Sequence, residues 1–302
     1  MDMSMHSSGK PLALLFATLA AAGAIGAGGA LARADISDGF SNSSNWALNA
    51  WNASGTYGMP ALPTGADTLV LTSDNGNEIS SAWYKTAQNI VNSWAATFTW
   101  QWSSAANSPG DGFMFAVQTN GLNALGYGGS SKGYVDATGT RTHNGTVLTV
   151  PVNPSFGVGI ENANLPSELD VGINGAFVQS GTAAAVPNST LNTQTDTNPI
   201  NFTIGYNATN NVVNIQAVDS TNPTESFSYN YTLPSSDASL ASLLGANTAY
   251  VGFTGATGGV SEEQNFTNFN FTTAVPEPAS LAMLSLGGAA CLLLVSRRRR
   301  GT

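Results

Sequence analysis

Alternation of apolar and polar residues is the feature that most constrains the fold of this chain. The stretch 95–102 places Ala96, Phe98, Trp100 and Trp102 on one side and small or polar residues on the other. Successive side chains of an extended chain point to opposite faces, so this period of two indicates a strand with one buried face. The same pattern recurs at 112–118, 177–181, 201–207, 212–218, 226–233, 249–255 and 265–272.

These segments are short, rich in Phe, Tyr, Thr and Val, and separated by Gly, Asn, Ser and Asp. That composition and spacing favour an all-β fold, an antiparallel sandwich of two sheets. Helical character is predicted only for 237–247, where Asp237 is the expected N-cap and Gly245 the expected stop.

The first 34 residues have the layout of a secretory signal peptide. Lys10 precedes a run of Leu, Ala and Gly, and Ala32-Arg33-Ala34 supplies the small-residue pattern of a cleavage site. We therefore predict a signal peptide at 1–34, with a retained membrane anchor as the alternative.

The far end combines three parts in order: Val275-Pro276-Glu277-Pro278, an uncharged run over 279–296, and four arginines at 297–300. An uncharged run of this length is enough to cross most of a ~30 Å apolar layer, and the arginines would stop transfer. The order resembles the PEP-CTERM sorting signal of Gram-negative bacteria. The resemblance implies export, transient anchoring by a transmembrane helix, and processing by a membrane protease near Pro-Glu-Pro. A plain single-pass anchor is the alternative for 275–302.

The segment between the ends, 35–274, is expected to be one exported domain at the cell surface or outside the cell. It holds three basic residues against sixteen acidic ones, a net charge of −13. Such a surface repels phosphate backbones, which excludes nucleic acid as a partner class. The sole cysteine, Cys291, lies in the tail, so the domain has no disulfide.

Four stretches of the domain together resemble the legume-type (L-type) lectins, whose fold is the concanavalin A-like β-sandwich, or jelly roll. They are 69–102, the segment PGDGFMFAVQ at 109–118, the glycine-rich NALGYGG at 123–129, and 249–271. The resemblance implies carbohydrate binding. Sugars present hydroxyls and apolar C–H faces, so a sugar site needs a fixed carboxylate, amide donors and an aromatic ring.

The resemblance also implies which residues form the sugar site. Asp111 would accept hydroxyl hydrogen bonds, the backbone of Gly128 or Gly129 would donate, and Tyr127 could stack on the ring. The remaining expected contacts are Asn164 and a wall in the loop 254–259, at Gly255 and Ala256.

A calcium and transition-metal loop is the next element that the resemblance implies, aligned here with 156–175. Gly159 stands where the family has Glu, Glu161 where it has Asp, and Asp170 where it has His. Calcium needs six to eight oxygen ligands. The candidate ligands for one Ca²⁺ are Glu161, Asn164, Glu168 and Asp170. Because so many ligand positions have changed type, the sequence favours a metal-free loop held by Asn side chains and Pro166 over this calcium site.

Glu168 and Asp170 also resemble the start of the Glu-x-Asp-x-x-Glu strand of family 16 glycoside hydrolases, which share the sandwich. Retaining hydrolysis needs a second carboxyl group as acid/base, and Ile173 stands at that position. We therefore predict no enzyme and no catalytic residues.

Two hypotheses of function remain. One is a surface lectin that binds exopolysaccharide or surface glycans. The other is a structural matrix protein that keeps the fold without a sugar site. The sequence leaves open which sugar is bound and whether the domain forms a homodimer through an edge strand.

Overall fold

A computed structural model describes residues 35–52, 60–63, 65–105, 108–135, 141–143, 146–148, 152–163, 168–179, 190–191, 193 and 195–273. The predicted signal peptide, the predicted sorting segment and Asn164 lie outside these residues. Among the described residues, none belongs to a helix long and apolar enough to cross a membrane.

Strands dominate the described residues, as the alternation predicted. In chain order they are β1 (Trp46–Asn52), β2 (Thr68–Thr72), β3 (Glu78–Tyr84), β4 (Gln88–Asn89), β5 (Trp94–Ser103), β6 (Gly112–Gln118), β7 (Arg141–His143), β8 (Thr146–Leu148), β9 (Ser155–Glu161), β10 (Glu168–Ile173), β11 (Ala176–Gln179), β12 (Ile200–Asn207), β13 (Val212–Asp219), β14 (Ser226–Thr232), β15 (Thr248–Ala256) and β16 (Glu263–Thr273).

Two antiparallel sheets form the sandwich. One has the order β1-β3-β15-β6-β9-β10-β11, with β4 paired to the start of β15. The other has the order β14-β13-β12-β5-β16-β2, and β7 and β8 form a separate hairpin. The predicted all-β sandwich is confirmed. Strands that pair in each sheet come from distant parts of the chain. This pairing places Asp111, Gly129 and Gly258 close to one another.

The core between the sheets is built from aromatic side chains. Phe98 of β5 stacks on Phe202 at a centroid distance of 5.0 Å and meets Phe253 of the other sheet edge-on at 5.0 Å. Phe113 and Phe266 make a second contact between the sheets, also at 5.0 Å. Aromatic pairs of this kind contribute about 0.5–1.5 kcal/mol each beyond their buried area.

The N-cap of the short helix α1 (Leu240–Leu244) lies two residues later than predicted. Ser239 is the N-cap, because its side chain accepts from the N–H of Ser242 at 3.0 Å. The expected cap, Asp237, lies in the preceding turn, so this detail of the prediction was wrong. Gly245 ends the helix as predicted, with φ at +65°.

The first sheet is buried on both faces at its centre. Every residue of β6 and β9 is buried, which a half-exposed strand would not show. Residues 119–135, which follow β6, fold back over the outer face, and Tyr134 among them is completely buried. The Tyr134 hydroxyl shares a 2.7 Å hydrogen bond with the hydroxyl of Ser155. This covering segment also carries the candidate site.

Glycines in β9 and β10 make room for the Tyr134 ring. A Cβ at Gly157 would lie 2.9 Å from the ring, and a Cβ at Gly172 would overlap it. The covering segment can therefore approach the sheet only because these two strand positions lack side chains.

Substitution of Gly172 tests this packing. Gly172→Ala should lower the free energy of unfolding by about 2 kcal/mol or more, because the methyl group displaces a fully buried ring. Urea denaturation measures this effect. The control is Gly205→Ala in β12, where a Cβ would come no closer than 3.8 Å to any neighbour, the Trp94 carbonyl oxygen. It should change stability by less than about 0.5 kcal/mol. Equal losses in both variants would contradict the packing described.

Candidate functional site

Asp111 is held by its backbone at the start of β6. Its N–H donates to the carbonyl of Ala256 at 3.0 Å, and its own carbonyl accepts from the N–H of Asn162 at 2.8 Å. The peptide bond between Gly110 and Asp111 is cis. These contacts fix the Asp111 backbone between the end of β15 and the end of β9.

A pocket of about 270 Å³ opens next to Asp111. Its lining combines two aromatic rings, one aliphatic side chain, an amide, a hydroxyl and three glycines. These residues are Trp51, Asn77, Ile79, Tyr127, Gly128, Gly129, Thr257 and Gly258. Tyr127 is 47% exposed, whereas large hydrophobic side chains elsewhere in the sandwich are mostly buried. The pocket therefore offers an accessible ring beside backbone and side-chain polar groups.

The glycine-rich loop gets its shape from backbone hydrogen bonds. Tyr127 donates its N–H to the carbonyl of Val135 at 3.0 Å and accepts from the N–H of Gly133 at 2.6 Å. A 3₁₀ turn follows at Gly129–Ser131, and the N–H of Lys132 closes it on the Gly129 carbonyl at 2.8 Å. Gly129 has φ at +61°, a conformation that favours glycine.

The Asp111 carboxylate lies directly behind the glycine wall of the pocket. A Cβ at Gly258 would be 2.7 Å from its Oδ2, and a Cβ at Gly129 would be 3.9 Å from the same atom. Asp111 is 8% exposed, and Oδ2 has no hydrogen-bond partner among the described residues. A buried carboxylate oxygen without a donor is costly, because its hydration has been lost without replacement.

The surroundings of Asp111 disfavour its charged form. Burial raises the pKa of Asp111 to about 6, and the nearby Glu161 carboxylate adds to the rise. The ammonium of Lys132 acts in the opposite direction and lowers the pKa of Asp111. At neutral pH the carboxylate is therefore mainly ionised and ready to accept hydrogen bonds.

Beneath this loop, Lys132 is buried against two carboxylates and is only 1% exposed. Its ammonium forms ion pairs with Oε2 of Glu161 and, at 2.8 Å, with Oδ2 of Asp170. It also donates to the carbonyl of Ser130 at 2.6 Å and lies 4.6 Å from the centre of the Phe177 ring. Burial raises the pKa of Asp170 to about 6, and the Lys132 ammonium partly offsets that rise.

Four candidate calcium ligands were expected from the sequence. Two of them, Glu161 and Asp170, hold the Lys132 ammonium, and Asn164 lies outside the described residues. Glu168 is buried and lies opposite Glu161 in the pairing of β9 with β10. A divalent cation between Glu161 and Asp170 does not fit this arrangement, because a protein cation already lies there.

The residues predicted for the sugar site are only partly brought together. Tyr127, Gly128 and Gly129 line the pocket, and Asp111 lies behind it. Gly255 and Ala256 do not line it, because both are buried within the paired strand β15. Within the expected loop 254–259, the wall is formed by the next two residues, Thr257 and Gly258.

Sequence reasoning missed four residues of the site. Trp51, Asn77 and Ile79 come from β1, the turn before β3, and β3 itself. Lys132 comes from the loop and is one of three cations in 35–274. This scarcity is a signal in the sequence, because a lysine beside a glycine-rich loop in a strongly acidic domain is expected to pair with carboxylates.

Glu262 is a second buried acid in this region. Glu262 is fully buried and accepts from the side-chain amides of Asn162 at 2.6 Å and Gln264 at 3.0 Å. Burial raises the pKa of Glu262 to about 8, from an ordinary value near 4.5, although these hydrogen bonds lower it somewhat. Glu262 is therefore mostly protonated at neutral pH in the folded state.

Glu262→Gln tests this protonation state. Below about pH 4.5 Glu262 is protonated in both states. Between pH 4.5 and 8 the unfolded chain loses the proton that the folded chain keeps, so wild-type stability falls. The variant should therefore gain on wild type by up to about 1.4 kcal/mol per pH unit across this range. Chemical denaturation at several pH values measures the difference.

Glu263→Gln is the matched control, because the Glu263 side chain is only partly buried. Its stability curve should run parallel to that of wild type. A pH-independent difference between Glu262→Gln and wild type would contradict the assignment of Glu262 as a protonated acid.

Among the described residues, one group of three acids lies close enough together to hold a metal ion: Asp196, Asp219 and Glu225. Asp219 already accepts from the N–H groups of Thr221 at 2.7 Å and Asn222 at 2.8 Å. These hydrogen bonds and others lower the pKa of Asp219, although its burial acts in the opposite direction. The group is thus explained as a turn held by side-chain caps.

Comparison with known proteins supports the fold. The family model described as the legume lectin domain matches residues 49–284, and the PEP-CTERM protein-sorting motif matches 274–300. The sorting motif indicates export and surface sorting, and it implies a sorting machinery as partner. No curated protein matches the sequence of the chain.

Several solved lectin structures share the fold. A lectin from Bauhinia forficata in complex with GalNAc is 16% identical, with a TM-score of 0.58 over 80% of this chain and 98% of that one. Lectin II from Ulex europaeus is 13% identical, with a TM-score of 0.55 over 76% and 93%. Arcelin-5, a lectin-like defence protein from Phaseolus vulgaris, is 14% identical, with a TM-score of 0.53 over 77% and 93%.

Proposed function

Because this chain belongs to the legume lectin family, we propose that it is an exported surface lectin that binds carbohydrate in the pocket beside Asp111. The legume lectin model covers most of the domain, and the sorting motif indicates that the protein is secreted. The ligand class proposed is exopolysaccharide or surface glycan. The role is binding without catalysis.

One observation carries the proposal: an unpartnered carboxylate oxygen lies behind the glycine wall of a pocket that also exposes Tyr127. A sugar hydroxyl would supply the missing donor, and its C–H face would pack on the ring. Since Oδ2 is buried, binding requires either a turn of the Asp111 carboxylate towards the pocket or a small movement of Gly258.

The low exposure of Asp111 favours a second candidate, a structural surface protein without a sugar site. In that case the carboxylate would serve only the local fold. The two candidates differ in the expected effect of removing the Asp111 charge. A lectin would lose glycan binding, whereas a structural protein without a sugar site binds no glycan before or after the change.

Legume lectins typically bind metal ions, and an acidic group is present at Asp196, Asp219 and Glu225. A calcium ion at the candidate ligands Glu161, Asn164, Glu168 and Asp170 forms no part of the proposed sugar site, because the Lys132 ammonium pairs with two of the four.

We further propose that the signal peptide spans 1–34, that the sandwich spans 35–274, and that the segment from 275 anchors the protein transiently until a protease acts at Pro-Glu-Pro. We also propose that the domain forms a homodimer through an edge strand.

Asp111→Asn on a glycan array tests the proposed function. The substitution keeps the size of the side chain and removes the charge-assisted acceptor, so affinity should fall about 10- to 100-fold. Stability at pH 7 should stay equal or rise, because a buried charge is removed. The control is Asp237→Asn, in the turn before α1, which should bind like wild type. Unchanged binding by Asp111→Asn would reject the site, and a wild-type protein that binds no glycan would favour the structural candidate.

Gly258→Ala tests whether a sugar hydroxyl in the pocket reaches the Asp111 carboxylate past Gly258. Its methyl group would lie 2.7 Å from Oδ2 of Asp111 and fill the space through which a hydroxyl reaches that atom. Affinity should fall at least about tenfold, corresponding to ~1.4 kcal/mol. The neighbour Gly259 is the control, since a Cβ there meets nothing within 4 Å. Isothermal titration calorimetry with the best array ligand measures both, and equal affinity for the two variants would contradict the proposed approach.

A further inference from the structure

Lys132 is a charged side chain in a place where charges are rare. It is 1% exposed, and its side chain ranks among the largest fully buried ones of the described residues. A buried ammonium is stable only when opposite charges and hydrogen-bond acceptors replace its hydration. Three oxygen atoms surround it here, from Ser130, Glu161 and Asp170, matching the three N–H bonds of an ammonium group in number.

These acceptors belong to different elements. Ser130 lies in the 3₁₀ turn of the pocket loop, Glu161 ends β9, and Asp170 lies in β10. Phe177 of β11 adds its ring face at 4.6 Å from the ammonium. The ammonium therefore connects the pocket loop to three neighbouring strands.

The two carboxylates are both buried and both contact the same ammonium. Glu161 and Asp170 are 3% and 1% exposed, and the charge of Glu161 acts unfavourably on that of Asp170. Burying two like charges together is costly unless an opposite charge lies between them. A divalent metal ion or an ammonium group could each supply that charge.

We propose that the Lys132 ammonium takes the place of a metal ion as the cation that positions the sugar pocket, so that binding, as proposed above, needs no divalent metal. Lys132 directly follows the turn that carries Gly129, and its N–H is bonded to the Gly129 carbonyl. Fixing the ammonium thus fixes the glycine wall in front of Asp111. Lys132 is a positioning residue.

The first arm of the test uses the wild-type protein. Its metal content is measured by mass spectrometry, and its melting temperature and glycan affinity are measured with EDTA and with excess CaCl2. The expected results are a metal content well below one ion per chain, and neither a shift in melting temperature nor a change in affinity. Stoichiometric metal, or loss of stability or binding in EDTA, would overturn the proposal.

The second arm compares Lys132→Ala with Lys85→Ala. Lys85 is exposed and donates to the carbonyl of Ser44 at 2.7 Å, so its removal should leave the melting temperature unchanged. Lys132→Ala leaves two buried carboxylates without a cation and should melt roughly 10 °C lower. Excess CaCl2 should recover part of that loss, because Ca²⁺ can enter between carboxylate oxygens.

If Lys132 contributed only packing, its replacement by Ala would not make the melting temperature depend on calcium. No response in Lys132→Ala, or an equal response in Lys85→Ala, would contradict the proposal. If Lys132→Ala does not fold, the wild-type arm still decides. The melting temperature and the metal content are measured without sugar. If the wild-type protein binds no glycan, the proposed function is rejected, and these two measurements still decide whether the Lys132 ammonium takes the place of a metal ion.

Discussion

The ion pairs of Lys132 with Glu161 and Asp170 are the interaction on which the arrangement of the site depends. They form in the interior, where the cost of desolvating the charges is high and the loss of one partner is destabilising. The loop that carries Tyr127, Gly128 and Gly129 is also anchored by apolar side chains, since Ala124, Leu125 and Tyr134 are fully buried. The Lys132 ammonium adds a charged contact to this apolar anchorage and connects the turn after Gly129 to Glu161 and Asp170.

Asp111 differs from Glu161 and Asp170, because no cation among the described residues is paired with its carboxylate. Its backbone is well bonded, whereas its carboxylate lacks a donor at Oδ2 and has a pKa raised to about 6. Such a group lowers stability, and functional sites are where proteins commonly keep groups of this kind. Burial raises the pKa of Glu262 to about 8, so this hydrogen-bonded acid adds little negative charge at neutral pH to a region that already contains Asp111, Glu161 and Asp170.

The sequence predicts the sandwich well because one-sided burial leaves a period of two, as β5 shows. It predicts less where both faces are buried. β9 is a run of small and apolar residues whose outer partner, Tyr134, lies more than twenty residues earlier in the chain. The wall of the pocket lies within the predicted loop 254–259, but at Thr257 and Gly258 and not at Gly255 and Ala256, because a family resemblance does not fix where β15 stops pairing. Lys132 could not be placed between Glu161 and Asp170, since that contact depends on how the covering loop folds back.

A crystal structure of the protein with a bound monosaccharide, grown with calcium present, tests the central claim most directly. The account predicts the sugar against Tyr127, a hydroxyl within hydrogen-bond distance of Oδ2 of Asp111, and the Lys132 ammonium between Glu161 and Asp170. A calcium ion between those two carboxylates with Lys132 displaced, or a sugar bound away from Asp111, would contradict it.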